Sequence, residues 1–282
     1  MVPTRLGLIV PSSNTTMETE LPEMFARRQT LFPEERFTFH SSRMRMLEVT
    51  AEALLQMDRD SNRCAVELAD AQCDAMAYAC LVAIMSQGPG VHVDAEARLT
   101  EAARTAGCDA PVVSSAGALV RGLAALGAGR IAMITPYVPE LTQKVCDYLR
   151  DAGIEVVDVI SRGVADNCAV GRLEPEDLLP LAGRLNSSGC DAVVVSACVQ
   201  MPSLAAIPEV EARLDLPVLS AATATTYELL TALDRATVVP DAGYLLSEEF
   251  ALRAAHPTSA DSLVKRLGVL ASSPRSTTGD RE

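Results

Sequence analysis

The sequence repeats itself, because three segments of its first half recur in the same order in the second half. The segments at 5–11, 73–80 and 111–116 resemble those at 130–136, 190–198 and 217–222. The middle pair begins with Cys-Asp-Ala and ends with Ala-Cys in both copies. Three matches in one order indicate an internal duplication. The chain should therefore fold as two similar halves that face each other.

Short β-rich runs alternate with helical stretches within each repeat, a pattern typical of α/β folds with parallel strands. Strands are predicted at 6–10, 37–41, 75–79, 112–114, 131–135, 156–160, 192–197 and 218–220. Helices are predicted near 15–29, 50–72, 92–107, 117–127, 139–152, 175–188, 203–214 and 222–233. The fold class predicted is therefore α/β, with two similar parallel-sheet domains. Beyond about residue 251 we expect a C-terminal extension with a short helix at 259–270 and a disordered end.

The composition excludes several classes of partner. The formal net charge is −13 and aromatic residues make up only 4% of the chain, with no Trp. This balance argues against nucleic acid, which needs basic surfaces or aromatic stacking platforms. No apolar run is long enough for a membrane span, and the amino terminus lacks the layout of a signal peptide. We therefore expect a cytoplasmic protein that contacts neither nucleic acid nor membrane.

Eight cysteines stand beside only three histidines. No cysteine pair has CxxC spacing and none has a histidine at zinc-ligand spacing, so no metal site is predicted. Without a secretory signal, reduced thiols are expected, and a free cysteine is by default a small buried hydrophobe.

Cys80 and Cys198 depart from that default because the repeat places them at equivalent positions, just past a buried strand. In open α/β sheets, ligands bind outside the carboxyl ends of the strands. If the halves face each other, both thiols border one cleft. Backbone N–H groups at such a strand end can lower a thiol pKa toward thiolate. We therefore expect these two cysteines to act as a nucleophile and a proton carrier.

The loop after the first strand, at 11–16, is rich in neutral donors and opens a helix, which suits the binding of an anion. Asn14 lies at its centre. The structural alternative is a capping box, with Thr15 or Thr16 as the cap and Glu18 or Glu20 reaching back. Both interpretations can hold together.

The second half offers two further candidates. Tyr137 lies in the loop equivalent to 11–16 and supplies a hydroxyl donor, although a packing role is the alternative. Asn167 follows the second strand of that half, and a plain turn residue is the alternative there. No glycine-rich phosphate loop is present, so no nucleotide is expected. A small anion would be held by neutral amides, hydroxyls and helix N-termini.

Four segments together resemble the maleate cis-trans isomerase family. They are Val10-Pro11-Ser12-Ser13-Asn14-Thr15-Thr16-Met17-Glu18, Phe37-Thr38-Phe39-His40-Ser41-Ser42-Arg43-Met44, Tyr78-Ala79-Cys80-Leu81-Val82-Ala83-Ile84-Met85 and Ser196-Ala197-Cys198-Val199-Gln200-Met201-Pro202-Ser203. The resemblance runs from about residue 5 to about 248. That family belongs to the aspartate/glutamate racemase superfamily, in which arylmalonate decarboxylase is a relative.

The resemblance implies two domains related by pseudo-twofold symmetry, with one cysteine from each in the cleft. The first domain would comprise 1–115 plus 218–250, the second 116–217, and the extension 251–282. A homodimer or higher homo-oligomer is also implied, as is a role in nicotinate breakdown. No cofactor is implied.

The resemblance also implies roles for individual residues. Cys80 would attack maleate to give a succinyl-cysteine, and Cys198 would move a proton on the other side. Asn14, Tyr137 and Asn167 match positions that bind the two carboxylates. The backbone N–H groups of Leu81, Val82 and Val199 would add to them.

Two alternatives remain open. The protein could be a racemase or decarboxylase of the same superfamily, or a dicarboxylate-binding protein without activity. Amino-acid racemases carry polar residues after each cysteine, whereas Leu81-Val82 follows Cys80 and Val199-Gln200 follows Cys198. An arylmalonate decarboxylase would have only one catalytic cysteine. Two thiols with apolar neighbours favour the isomerase.

Overall fold

The computed structural model describes residues 2–46 and 50–254, and it contains two four-stranded parallel sheets. The first half has strands β1 (Thr4–Pro11), β2 (Phe37–Met44), β3 (Ala75–Tyr78) and β4 (Val112–Ser114), with helices α1 (Met17–Arg28), α2 (Ala51–Asp70), α3 (Leu81–Met85), α4 (Val91–Thr105) and α5 (Ser115–Leu126). The helix predicted at 259–270 and the disordered end lie outside the described residues.

The second half repeats this arrangement. It has strands β5 (Arg130–Thr135), β6 (Glu155–Ser161), β7 (Ala192–Ser196) and β8 (Val218–Ser220), with helices α6 (Pro139–Asp151), α7 (Asn167–Val170), α8 (Leu178–Ala182), α9 (Ile207–Leu214), α10 (Ala221–Ala232) and α11 (Glu248–Ala254). Short 3₁₀ turns cover Pro175–Asp177, Leu204–Ala206 and Tyr244–Leu246. The strand orders are β2-β1-β3-β4 and β6-β5-β7-β8, so the two sheets have the same topology. The predicted α/β class with paired parallel sheets is confirmed.

The repeated Cys-Asp-Ala motif has a structural cause. The carboxylate of Asp74 accepts a hydrogen bond of 2.7 Å from the backbone N–H of Arg5, where β1 begins. In the second half, Asp191 accepts one of 2.8 Å from the N–H of Arg130, where β5 begins. Each aspartate thus ties the first strand of its half to the strand that leads to the repeated Ala-Cys pair. The sequence repeat therefore preserves a join between neighbouring strands.

The third repeated segment preserves a helix cap. The side chains of Ser114 and Ser220 accept hydrogen bonds from the backbone N–H groups of Gly117 and Thr223, at the starts of α5 and α10. A serine at this position satisfies an N–H group that has no acceptor within the helix. Each half therefore ends its sheet and begins the next helix in the same way.

The chain passes between the halves twice. After β4 it enters α5, and after β8 it enters α10, which packs against α5 and contacts α1, β3 and β4. Strand β8, which the predicted division assigns to the first domain, pairs with β7 in the second sheet. The domain ranges themselves stay a prediction.

A buried ion pair fastens α1 to the segment at 236–238. Arg28 is fully buried, and its guanidinium bonds both carboxylate oxygens of Glu35, at 2.7 and 3.0 Å. It also donates to the backbone carbonyls of Ala236 and Val238. Removal of the arginine leaves the two carbonyls without this donor and leaves Glu35 with only the more exposed Arg235, at 3.2 Å, as a charged partner.

We expect Arg28→Ala to lower the free energy of unfolding by about 3–5 kcal/mol, because it leaves Glu35 buried without its main partner. Arg104→Ala is the control, since Arg104 pairs with Glu101 on the exposed surface and should cost at most about 1 kcal/mol. Denaturant-induced unfolding of both variants measures the difference. Equal losses of stability would contradict the assigned role.

Candidate active site

Both predicted thiols lie at the carboxyl ends of central strands. Cys80 follows β3 by two residues and immediately precedes α3, and Cys198 follows β7 by two residues. Because β3 and β7 are fully buried, each thiol marks the point where a strand leaves the core. The equivalent positions inferred from the repeat are therefore equivalent in the fold.

One cavity contains both thiols. Its lining comprises Pro11, Asn14, Met46, Ala79, Cys80, Leu81, Val82, Tyr137, Asn167, Cys198, Val199 and Gln200. All eight residues proposed from the sequence are in this set, and they come from both halves. Sequence reasoning did not assign Pro11, Met46, Ala79 or Gln200 to the site.

The cavity has a volume of about 20 Å³, room for about one water molecule. A four-carbon dicarboxylate therefore needs the cleft to widen before it can enter.

A larger groove lies outside this cleft, beside α9 and the segment at 238–249. Its volume is about 590 Å³, and its lining includes the carboxylates Glu211, Asp241, Glu248 and Glu249. No cysteine lines it. A groove with four carboxylates and no thiol does not suit thiol chemistry on an anion, so the smaller cleft is the candidate active site.

The Cys80 thiol is 5% exposed, and burial raises its pKa to about 12. The nearby Cys198 raises it further, whereas a hydrogen bond from the backbone N–H of Ala83 lowers it. The backbone N–H therefore acts in the expected direction, but the net pKa of this thiol is raised and not lowered toward thiolate. Removal from water outweighs the single N–H donor, because a buried thiolate loses its hydration.

Cys198 has more hydrogen-bond donors than Cys80. Burial raises its pKa as well, but the Tyr137 hydroxyl and the backbone N–H groups of Gln200 and Met201 all oppose that effect. The N–H of Gln200 lies 3.4 Å from the Cys198 sulfur. The two thiols thus sit in one cavity with unequal support for a negative charge.

Asn14 opens α1 and faces the cavity. Its Oδ1 accepts a hydrogen bond of 3.1 Å from the backbone N–H of Met17, so only its Nδ2 remains as a donor group for a ligand. The capping box suggested as an alternative is wrong. Thr16 makes no side-chain cap, and its hydroxyl donates instead to the backbone carbonyl of Gln200.

Glu20, the other member of that suggested box, also reaches the second half. Its carboxylate accepts hydrogen bonds from the backbone N–H groups of Ser203 and Leu204, the latter at 2.7 Å. Burial raises the pKa of Glu20 despite these donors. The start of α1 therefore binds the second half through side chains that a sequence motif assigned to the helix itself.

Tyr137 and Asn167 approach the cavity from the second half. The Tyr137 hydroxyl donates to the backbone carbonyl of Ala197 at 3.2 Å, and burial raises the pKa of this tyrosine well above its usual value. Asn167 begins α7, and its Nδ2 donates to the hydroxyl of Ser13 at 2.8 Å. Asn167 is therefore buried at the junction of the two halves and is more than a turn residue.

Leu81, Val82 and Val199 line the cavity through the segments next to the thiols. Leu81 and Val82 are the first two residues of α3, where N–H groups have no acceptor within the helix.

Within 2–46 and 50–254, no three metal-ligating side chains come together. No helix in the same ranges is long and apolar enough to cross a membrane.

Comparison with known proteins gives the same family. The model of the arylmalonate decarboxylase family matches residues 6–246. A curated maleate isomerase from Geobacillus stearothermophilus is 57% identical over 246 residues, which cover 87% of this chain and 98% of that protein.

Two solved structures are similar in both sequence and fold. A variant of the maleate isomerase Iso from Pseudomonas putida, with maleate, is 52% identical, with a TM-score of 0.85 over 87% of this chain and 98% of that one. The second structure is of a cysteine-to-serine mutant of the maleate cis-trans isomerase from Nocardia farcinica, with a covalently bound succinylcysteine intermediate. It is 46% identical, with a TM-score of 0.84 over 88% of this chain and 99% of that one. The chain therefore belongs to the maleate isomerase branch of the arylmalonate decarboxylase family.

Proposed function

We propose that this protein converts maleate to fumarate without a cofactor, through a succinyl-cysteine intermediate. The observation that carries the proposal is the pair of thiols, one from each half, in a single cavity lined by neutral amide and hydroxyl groups. The relatives' names and the succinylcysteine in the Nocardia farcinica protein support it.

Maleate and fumarate differ by rotation about a C=C double bond. The π bond prevents this rotation until it is broken. In the proposed reaction, the Cys80 thiolate forms a C–S bond to one alkene carbon. The displaced electron pair moves to the other alkene carbon and its carboxylate, and the Cys198 thiol donates a proton to that carbon. The succinyl adduct then has a single bond that rotates freely. This is nucleophilic catalysis that replaces one forbidden step by several allowed ones.

The return steps are the reverse of the first. The Cys198 thiolate removes the proton, the double bond re-forms, and the C–S bond breaks to release fumarate and the Cys80 thiolate. We propose that the Nδ2 groups of Asn14 and Asn167 and the hydroxyl of Tyr137 hold the two carboxylates. Backbone N–H groups of Leu81, Val82 and Val199 would add donors where charge develops. Neutral donors suit a dianion in a protein whose net charge is −13.

Proton NMR of maleate incubated with the purified protein and a chelator tests the function directly. We expect the maleate signal to be replaced by that of fumarate with no added cofactor. Turnover of an amino acid or an arylmalonate, with maleate unchanged, would instead support the racemase or decarboxylase alternative. Binding of maleate without turnover would support the dicarboxylate-binding alternative.

We expect kcat/KM to rise with pH across the neutral and mildly alkaline range. Burial raises the pKa of Cys80 to about 12, and only the thiolate adds to the alkene. Below a thiol pKa, the thiolate fraction grows about tenfold per pH unit, and kcat/KM reports ionisation of the free enzyme. Initial rates at constant ionic strength measure the profile. A flat profile between about pH 7 and 9 would mean that a thiolate is already present at neutral pH.

The assembly state is proposed as a homodimer. Leu55 and Val66 lie eleven residues apart, so they share one face of α2, and both are exposed, as is Val93 on the adjacent α4. A contact between two copies would remove these three exposed apolar side chains from water. Light scattering after size-exclusion chromatography measures the mass. The cytoplasmic location and the role in nicotinate breakdown also stay predictions.

A further inference from the structure

Gln200 is a buried polar residue for which the proposed reaction gives no role. It lies two residues after Cys198, is 2% exposed and lines the cavity. A buried amide needs hydrogen-bond partners for both its donors and its acceptor. Its partners therefore show what this side chain holds together.

The Gln200 side chain uses its whole hydrogen-bonding capacity across the junction of the two halves. Its Oε1 accepts from the backbone N–H groups of Thr15 and Thr16, at 3.0 and 3.4 Å. Its Nε2 donates to the backbone carbonyls of Ser13 and Asn167, at 2.9 and 3.1 Å. Two donors meet two carbonyls, and the oxygen meets two N–H groups, so the amide has one favourable orientation.

The backbone of Gln200 also forms hydrogen bonds, one of them to the Cys198 thiol. Its N–H donates to the Cys198 sulfur at 3.4 Å, and its carbonyl accepts from the Thr16 hydroxyl at 2.8 Å. The residue therefore joins the loop at 13–16, the backbone of Asn167 and the Cys198 thiol. We call this set of hydrogen bonds the Gln200 clamp.

The absence of a side chain at Gly171 leaves room for the amide of Gln200. A Cβ at this position would lie 2.5 Å from the Gln200 Nε2 and 3.1 Å from its Cδ. The Gly171 backbone has φ −71°, a value that any residue adopts, so only the contact with Gln200 opposes a side chain there. This glycine offers a second, independent way to displace the clamp.

We propose that Gln200 is a positioning residue, which fixes the Cys198 thiol against the substrate loop of the opposite half. The proposal rests on the proposed function for what the thiol does. Displacement of a reacting group by about 1 Å slows a chemical step without removing any group that binds substrate. Loss of the clamp should therefore lower kcat much more than it raises KM.

The test uses Gln200→Met, which keeps the volume of the side chain and removes its hydrogen bonds. We expect kcat to fall about 100-fold, with a much smaller change in KM. Gln200→Glu should not restore the rate, because its second oxygen would face the carbonyls of Ser13 and Asn167. Gly171→Ala should lower kcat in the same way. Gly183→Ala is the matched control, since Gly183 also follows a helix, at φ −67°, and its Cβ would meet only the flexible end of Arg213.

A double-mutant cycle decides whether Gly171 acts through Gln200. Gly171→Ala should have no further effect on kcat in the Gln200→Met background, because the clamp is already absent. Independent effects that multiply in the double variant would overturn the proposal, as would a Gln200→Met protein with unchanged kcat.

Labelling with iodoacetamide tests the clamp without turnover. Mass spectrometry of the Cys198 peptide should show faster alkylation in Gln200→Met and Gly171→Ala than in the wild-type and Gly183→Ala proteins. Cys64, fully buried in α2, reports global unfolding, and its labelling should not change. If the wild-type protein fails to isomerise maleate, the proposed function is wrong. The labelling rate of Cys198 is then the test of the clamp. Unchanged Cys198 labelling then overturns the proposal, and faster labelling supports it.

Discussion

Cys80→Ser should reduce the conversion of maleate to fumarate by roughly 10⁴-fold or more, as loss of the nucleophile does in other covalent enzymes. A serine hydroxyl is far less acidic than a thiol, and the Ala83 N–H is the donor that lowers the pKa at this position. Proton NMR measures fumarate formation over long incubations. The fold should survive, because the exchange of sulfur for oxygen changes little volume.

The control for this variant is Cys146→Ser. Cys146 is a similarly buried thiol on α6, outside the cavity lining, so its variant should keep wild-type turnover. Circular dichroism and thermal unfolding of both variants check the fold. Substantial activity of Cys80→Ser would show that another group attacks the alkene.

Cys198→Ala should slow turnover by about 10²–10⁴-fold, the usual contribution of a general acid or base. Cys80 can still add to maleate with a proton from water, but elimination lacks the base that removes the proton. The adduct should therefore accumulate. Mass spectrometry of protein quenched with maleate should find one maleic acid added to the peptide that contains Cys80.

Cys168→Ala is the control for that variant, because Cys168 is the exposed cysteine of α7 and does not line the cavity. It should show wild-type turnover and no excess adduct. An unchanged rate for Cys198→Ala would remove Cys198 from the chemistry. An adduct on a cysteine other than Cys80 would contradict the assignment of Cys80 as the nucleophile.

The fold was predictable because its determinants are short sequence motifs that occur twice. Asp74 and Asp191 bind the starts of neighbouring strands, and Ser114 and Ser220 cap the helices that follow. Each of these contacts leaves a short motif in the sequence, and its repetition distinguishes it from chance. The positions of the two thiols follow from the same strands.

The contacts between the halves were not predictable in this way. Gln200 binds Thr15 and Thr16, and Glu20 binds Ser203, across more than 180 residues of sequence. The local motif instead suggested a capping box of Thr15 or Thr16 with Glu18 or Glu20. The direction of the thiol pKa shifts was also missed, because it depends on how far the closed cleft excludes water.

The unequal surroundings of the two thiols can be compared with those in a symmetric pair of identical halves. An ancestor of half this length, paired with an identical copy, would carry two identical cysteines with identical surroundings. In a single polypeptide that contains both halves, each position can change alone. Cys198 now has the Tyr137 hydroxyl and two N–H donors, whereas Cys80 has one N–H donor. The internal repeat accounts for the presence of two thiols, and the differences between their neighbours allow a division of labour between them.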